Sequence, residues 1–272
     1  MSQYGWDECL YVTRDQVSTV RDGLLNTLED NLVGVYLHGS LTFGCFNPRR
    51  SDIDLLAVTA QSLSLNEKRQ LAELLLTYSV PFYPPSVTRP IEISLLHMEQ
   101  HCPWQYPTPF DFHYSEQHRE RYTVELANGE WQHWNDSTST DPDLAAHITI
   151  ILTNGICLYG ESIDNVFPGV PQADYVASLL SDARGALHYL AANPVYSVLS
   201  LCRVAAFMTD GLICSKDSGA IWALDRLPAA QRSVTQQALA IYRGTVAEWP
   251  FDASALDRFA AYMTNFLKNS SR

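Results

Sequence analysis

Apolar and polar positions along the chain fall into two textures. Up to about Met98, helix-like segments alternate with short runs of β-branched and aromatic residues. Thr13-Arg14-Asp15-Gln16 reads as a capping box that opens a helix to about Asp30. The runs "VGVYLH" (33–38), "DIDLLAV" (52–58) and "IEISLLH" (91–97) predict three strands. Ser64-Leu65-Asn66-Glu67 is a second capping box, heading a helix through about Tyr78. That order predicts a mixed sheet backed by helices.

Residues 100–140 are irregular, with Pro103, Pro107 and Pro109 among many aromatics, and hold at most a short helix within "TPFDFHYSEQHRERY". From Asp141 the texture is helical. Asp141-Pro142-Asp143 reads as an N-cap with proline in the first turn, leading into "LAAHITIILTNG". Further helices are expected at 172–191, 195–210, 215–226, 230–243 and 252–268, with Gly211 and Gly244 as C-caps. The fold class is therefore α/β (α+β) with a mixed sheet over residues 1–140, plus an all-helical C-terminal domain over 141–272.

With 272 residues, the chain has room for two domains with real cores. No apolar run approaches the roughly 18 residues of a membrane span, and the N-terminus lacks the basic-then-apolar pattern of a signal peptide. Six cysteines without a CxxC pair read as reduced thiols, so a cytoplasmic protein is expected. A monomer is expected as well. The net charge of -12 argues against nucleic acid, whose phosphates call for basic patches. It favours cationic partners, although acidity is also an ordinary means of staying soluble.

The chemistry concentrates in "YLHGSLTFGCFNPRRSDIDLLAVT" (36–59). Side chains two apart on a strand share a face, so Asp52 and Asp54 crowd their carboxylates together. Such crowding is tolerated when a cation sits between them, and Mg²⁺ suits oxygen ligands shared with phosphates. Glu92, a third acid inside an apolar strand, can join them if the strands are neighbours. Three carboxylates around Mg²⁺ suit phosphoryl or nucleotidyl transfer. Gly39 lets backbone approach a phosphate, Ser40 adds a hydroxyl, and a helix starting just after would aim its amides at an anion. Solvated acids on an exposed edge strand are the plain alternative, but they leave Glu92 and Gly39-Ser40 unexplained. Other polar residues carry weaker signals. His97-Met98-Glu99-Gln100-His101 lacks zinc-protease spacing and reads as surface. His113 and His118 read as packed or exposed loop residues, His147 as a core residue, and Trp104 with Tyr106 as packing.

Gly39-Ser40 followed by Asp52-Ile53-Asp54 resembles the signature of the DNA polymerase beta-type nucleotidyltransferases. "RPIEISLLHMEQHCPWQYP" is similar to the third-carboxylate strand and Pro-Trp-x-x-Pro loop of the aminoglycoside adenylyltransferases that modify streptomycin and spectinomycin. "LSLCRVAAFMTDGLICSKD", "LDRLP" and "IYRG" resemble that family's helical C-terminal domain, and the likeness spans about residues 32 to 245. It implies Mg²⁺-dependent transfer of AMP from ATP to a hydroxyl of an aminoglycoside or aminocyclitol, with release of pyrophosphate. It further implies that Asp52 and Asp54 hold Mg²⁺, two ions being expected, and that Glu92 is the general base and a further metal ligand. Gly39, Ser40, Ser51, Lys216 and Tyr242 would contact the nucleotide.

This chain departs from the family at several points. The spacer before Asp52 is one residue longer. Ser115-Glu116-Gln117 replaces Gly-Glu-Trp, and Ala192-Asn193-Pro194 replaces Gly-Asp-Glu. These changes remove a drug-contacting tryptophan and an acid, which favours a spectinomycin-like acceptor over streptomycin. Glu116, Asp111 and Asp143 could supply acids instead. The expected partner is a small cationic hydroxylated acceptor. The rival readings are the same chemistry on another antibiotic class, a metabolite or a protein hydroxyl, and a nucleotide-binding protein whose catalysis has lapsed.

Overall fold

The computed structural model describes residues 3–80, 88–247 and 249–270. The chain divides into two compact units, Met1–Pro171 and Gln172–Arg272. In the first unit the elements run α1 (Tyr11–Leu28), β1 (Leu32–His38), β2 (Ile53–Thr59), α2 (Leu65–Tyr78), β3 (Ile91–His97), α3 (Met98–His101), β4 (Thr108–Phe110), β5 (Phe112–Tyr114), α4 (Arg119–Asn128), β6 (Ser139–Asp141), α5 (Leu144–Asn154), β7 (Ile156–Gly160) and α6 (Ile163–Val166).

Five strands form one sheet in the order β5-β3-β2-β1-β7, while β4 and β6 form a separate ribbon. β2 and β3 run parallel and every other pair in the five-stranded sheet is antiparallel, so the sheet is mixed as expected. Both faces are covered, which explains why the strands read as nearly continuous apolar runs. Val35, Leu37, Leu55 and Ile93 join a core with Val17, Val20 and Leu24 of α1 and Leu71 and Leu75 of α2. Tyr36, Leu56, Val58 and Leu96 alternate onto the other face, against Leu144, Ile148 and Ile151 of α5. Each fully buried Leu or Ile contributes about 1.5–3 kcal/mol.

Ser64 caps α2 as the sequence predicts. Its hydroxyl accepts from the Glu67 amide at 3.3 Å and the Glu67 carboxylate accepts from the Ser64 amide at 2.7 Å. The expected capping box at Thr13 does not form. The N-cap of α1 is Leu10, three residues earlier, and the Thr13 hydroxyl is buried against the Tyr4 hydroxyl at 3.1 Å. Asp141 does not cap α5 either: its carboxylate accepts from the Asp143 amide at 2.8 Å, and Asp143 holds the N-cap position without a side-chain cap bond.

The expected domain boundary at 140/141 also moves. Helix α5 packs on the sheet, and β7, which was not foreseen, pairs with β1 and extends the sheet beyond it. The first unit therefore runs to Pro171, and the helical region begins at Gln172.

The second unit holds α7 (Gln172–His188), α8 (Pro194–Asp210), α9 (Lys216–Arg226), α10 (Ala229–Arg243) and α11 (Ala253–Ser270). Helix α8 is its centre, buried nearly all round and in contact with the other four helices. Gly211 and Gly244 end α8 and α10 with φ of +69° and +67°, the left-handed C-caps expected from the sequence.

Candidate active site

Three neighbouring strands carry one polar file. His38 of β1 pairs in register with Asp54 of β2, and Asp54 pairs with Glu92 of β3. Register partners project to the same side of a sheet, and Asp52, two residues before Asp54, shares that side. The half-buried carboxylates of Asp52, Asp54 and Glu92 offer oxygens that all lie within 4.8 Å of one another.

Gly39 shows how tightly the turn is built against this group. Its φ is +69°, and an added Cβ would lie 1.8 Å from Asp54 Oδ2. Both the backbone conformation and the contact demand glycine. The segment after it is a single 3₁₀ turn, Gly39–Leu41, rather than the start of a longer helix that could aim its amides at an anion. In that turn the Ser40 hydroxyl is buried without a hydrogen-bond partner among the described residues.

Ser51 is placed by its surroundings. Its hydroxyl accepts from the Asn47 amide at 3.0 Å, and its own amide donates to the Asn47 carbonyl at 2.8 Å, closing the loop ahead of Asp52. Arg89 then clamps the Ser51 carbonyl with Nε at 3.0 Å and Nη2 at 2.8 Å. Burial lowers the Arg89 pKa, and Asp52 and Tyr4 pull the other way. Gln16 fixes Arg89 in turn: its Oε1 accepts from the Arg89 amide at 2.8 Å and its Nε2 donates to the Arg89 carbonyl at 2.7 Å. The Arg89 clamp was missed from the sequence. Its signal is an arginine before Pro90, where the chain enters the Glu92 strand.

His38 is buried, and its ring centroid lies 4.9 Å from that of His147 on α5. Burial, with His147 beside it, holds the His38 imidazole well below the ordinary histidine range, so it is neutral near pH 7. His101, expected at the surface, is fully buried, with Nε2 3.2 Å from the Val166 carbonyl oxygen. Trp104 packs on the α5-side core, as expected.

Two acids considered for an acceptor are occupied elsewhere. Glu116 receives Arg119 Nε at 2.7 Å, the Tyr114 hydroxyl at 3.0 Å and the Ser79 hydroxyl. Burial would raise its pKa, but these hydrogen bonds outweigh burial and hold it below the usual carboxylate range. Asp111 accepts from the Leu63 amide and from Gln100 Nε2, both at 2.8 Å, and lies 3.2 Å from His97 Nδ1. Asp143 holds the N-cap position of α5.

Lys216 and Tyr242 belong to the second unit. Lys216 is the first residue of α9, and its ammonium sits 4.0 Å from the ring centroid of Tyr196. Tyr242 lies in the last turn of α10. In the same unit Arg203 donates Nη2 to Asp182 Oδ2 at 2.9 Å, while its Nε is buried without a partner among the described residues. Burial opposes the Arg203 charge, but Asp182 raises its pKa overall.

The donor set fits Mg²⁺. The triad supplies three carboxylates, Gly39 leaves Asp54 room where a side chain would fill it, and the Ser40 hydroxyl has no hydrogen-bond partner among the described residues.

Residues 165–266 match the family model described as "Aminoglycoside adenylyltransferase, C-terminal domain". The chain is 30% identical over 241 residues to spectinomycin 9-adenylyltransferase of Staphylococcus aureus, covering 88% of this chain and 89% of that one. It is 29% identical over 261 residues to aminoglycoside (3'') (9) adenylyltransferase of Klebsiella pneumoniae, covering 91% and 92%. Its fold matches that of the Enterococcus spectinomycin adenyltransferase AAD(9), solved with ATP and spectinomycin. The TM-score is 0.81 at 24% identity, over 94% of this chain and 99% of that one. On the strength of its sequence similarity across nearly its whole length, the chain belongs to the aminoglycoside (streptomycin/spectinomycin) adenylyltransferase family.

Proposed function

We propose that the protein transfers AMP from ATP to a hydroxyl of a spectinomycin-like aminocyclitol and releases pyrophosphate. The observation that carries this reading is the convergence of Asp52, Asp54 and Glu92 within 4.8 Å on one side of the sheet, in a chain of this family. Asp52, Asp54 and Glu92 would hold Mg²⁺, which supplies charge neutralisation for the polyphosphate.

Glu92 accepts the proton of the acceptor hydroxyl, whose oxygen then attacks the α-phosphorus while the bond to the pyrophosphate oxygen breaks. Gly39 keeps Asp54 in place, and Arg89 holds the Ser51 carbonyl and so fixes Asp52 at the entry to β2. Ser40 and Ser51 bind phosphate oxygens. Lys216 adds a cation for the phosphates, and Tyr242 contacts the nucleotide.

The acceptor reading rests on charge and on the departures from the family. The net charge of -12 suits a cationic acceptor. Gln117 and Asn193 stand where the wider family has a tryptophan and an acid, which favours spectinomycin over streptomycin. The test is pyrophosphate release with ATP and Mg²⁺ across spectinomycin, streptomycin and other hydroxylated aminocyclitols. Turnover with spectinomycin and little with streptomycin is expected. Turnover with streptomycin alone overturns the acceptor assignment, and turnover with no member overturns the reaction.

A further inference from the structure

A cavity lies away from the triad. It has a volume of about 440 Å³, and Lys68, His97, Gln100, Asp111, Asn135 and Thr138 are among its walls. That volume falls in the roughly 300–1,000 Å³ range of small-molecule sites. His97 ends β3, five residues beyond Glu92, which puts the cavity roughly 16 Å further along the strand at about 3.3 Å per residue.

Lys68 is the unusual member. It sits on α2 with only 6% of its surface exposed, and it lines the cavity. Its ammonium makes no hydrogen bond or close ion pair with any described residue. Asp111 acts on it only as a more distant charge that partly offsets the effect of burial. A lysine held by packing alone normally extends its charge to water or pairs it. The side chain is largely out of water and its ammonium is partly desolvated, a cost that an anion in the cavity would offset.

The rest of the wall supplies polar groups. Asp111 is already engaged by Leu63, Gln100 and His97, so it holds the wall together. Asn135 spends one amide donor on the Leu63 carbonyl at 3.1 Å and keeps its oxygen for another partner. One ammonium near a carboxylate matches a ligand of one or two negative charges, and works against a triphosphate.

We propose that this cavity is a second binding site for a small hydroxylated oxyanion, a carboxylate or a phosphate monoester, with Lys68 as its charge partner. It goes beyond the AMP-transfer reading and shares none of its residues. Titration calorimetry on the full chain tests it with gluconate, glucose 6-phosphate, inorganic phosphate and uncharged sorbitol. Each titration is repeated with a saturating non-hydrolysable ATP analogue and Mg²⁺.

At least one anionic probe is expected to bind equally with and without the nucleotide analogue, while sorbitol does not bind. The gluconate and phosphate arms distinguish the two anion classes. Lys68→Met should weaken binding at least about tenfold, as loss of a charge-assisted contact does. Should that variant fail to fold, Thr138→Trp at the exposed wall should give the same weakening with an unchanged melting temperature. The proposal is overturned if no anionic probe binds, if the ATP analogue abolishes binding, or if the folded variant binds as tightly as the wild type.

Discussion

Glu92 and Glu116 are both partly buried glutamates of the sheet-containing unit, and the chain surrounds them in opposite ways. Glu116 is tied to Arg119, Tyr114 and Ser79, which joins the start of α4 to β5 and to the end of α2. Those partners lower its pKa despite burial. Glu92 is set beside two other carboxylates within 4.8 Å. Like charges that close raise the free energy of the folded chain unless a cation joins them. A carboxylate saturated by donors stabilises the fold, and a cluster of carboxylates fits a cation that comes from outside. Under the proposed function, the contrast separates a structural acid from a chemical one, although both are single glutamates in sequence.

The largest expected effect lies on the chemical side. Glu92→Gln removes the proposed proton acceptor and should lower turnover by about 10²–10⁴-fold, with ATP affinity largely retained. Asp54→Asn should be at least as damaging to Mg²⁺-dependent turnover. Pyrophosphate release measures the rate, and calorimetry with the non-hydrolysable analogue measures the affinity. Near wild-type turnover in Glu92→Gln removes it from the role of base.

Gly39→Ala attacks the same site through the backbone. The new methyl meets Asp54 Oδ2 at 1.8 Å, and alanine is strained at φ +69°. A displaced carboxylate of about 1 Å should cost about 10²-fold in turnover. A fully active Gly39→Ala would show that Asp54 need not stay where the turn holds it.

Glu116→Gln tests the other half of the comparison. It leaves Arg119 without its charge partner, so stability should fall by about 2–4 kcal/mol. Turnover per folded molecule should be unchanged at a permissive temperature. Denaturant unfolding reads the first and pyrophosphate release the second. A selective loss of turnover with intact stability would return Glu116 to the chemistry.

The triad was legible in sequence because its signals are local. Two-residue spacing fixes Asp52 and Asp54 on one side of β2, and an acid inside an apolar run marks Glu92. The bounds of β3 were read correctly for the same reason. What escaped depends on residues far apart in the chain. Strand β7 lies in helical texture and is a strand because β1 offers it an open edge. Thr13 has the residue type of a helix cap, but it bonds to Tyr4 and leaves the cap position to Leu10. The Arg89 clamp needs Ser51 and Gln16 brought together, and the roles of Glu116 and Asp111 need partners from several elements. Acid type was visible in the sequence, but saturation was not.

The smallest expected effect comes from a third kind of site, a buried histidine. His113 bonds to Ser94 Oγ at 2.9 Å, and its pKa is pushed down to about 4. Burial is the main cause, and His118, His147 and Arg121 add to it while Asp141 opposes it. Because the folded value is lowered, the unfolded chain takes up this proton first as pH falls below about 6.5. Stability then declines with falling pH until the folded imidazole titrates near 4. The loss between pH 7 and pH 5 should be on the order of 1–2 kcal/mol. His113→Gln keeps a polar partner for Ser94 and removes the proton uptake, so its stability should fall less over that range. Denaturant midpoints for the two proteins at pH 7, 6 and 5 check this, and parallel declines would show that His113 is not the group responsible. The comparison between acids carries over to the histidine: a group kept neutral by burial weakens the fold in acid, whereas Glu116 keeps its charge there until pH falls below the usual carboxylate range.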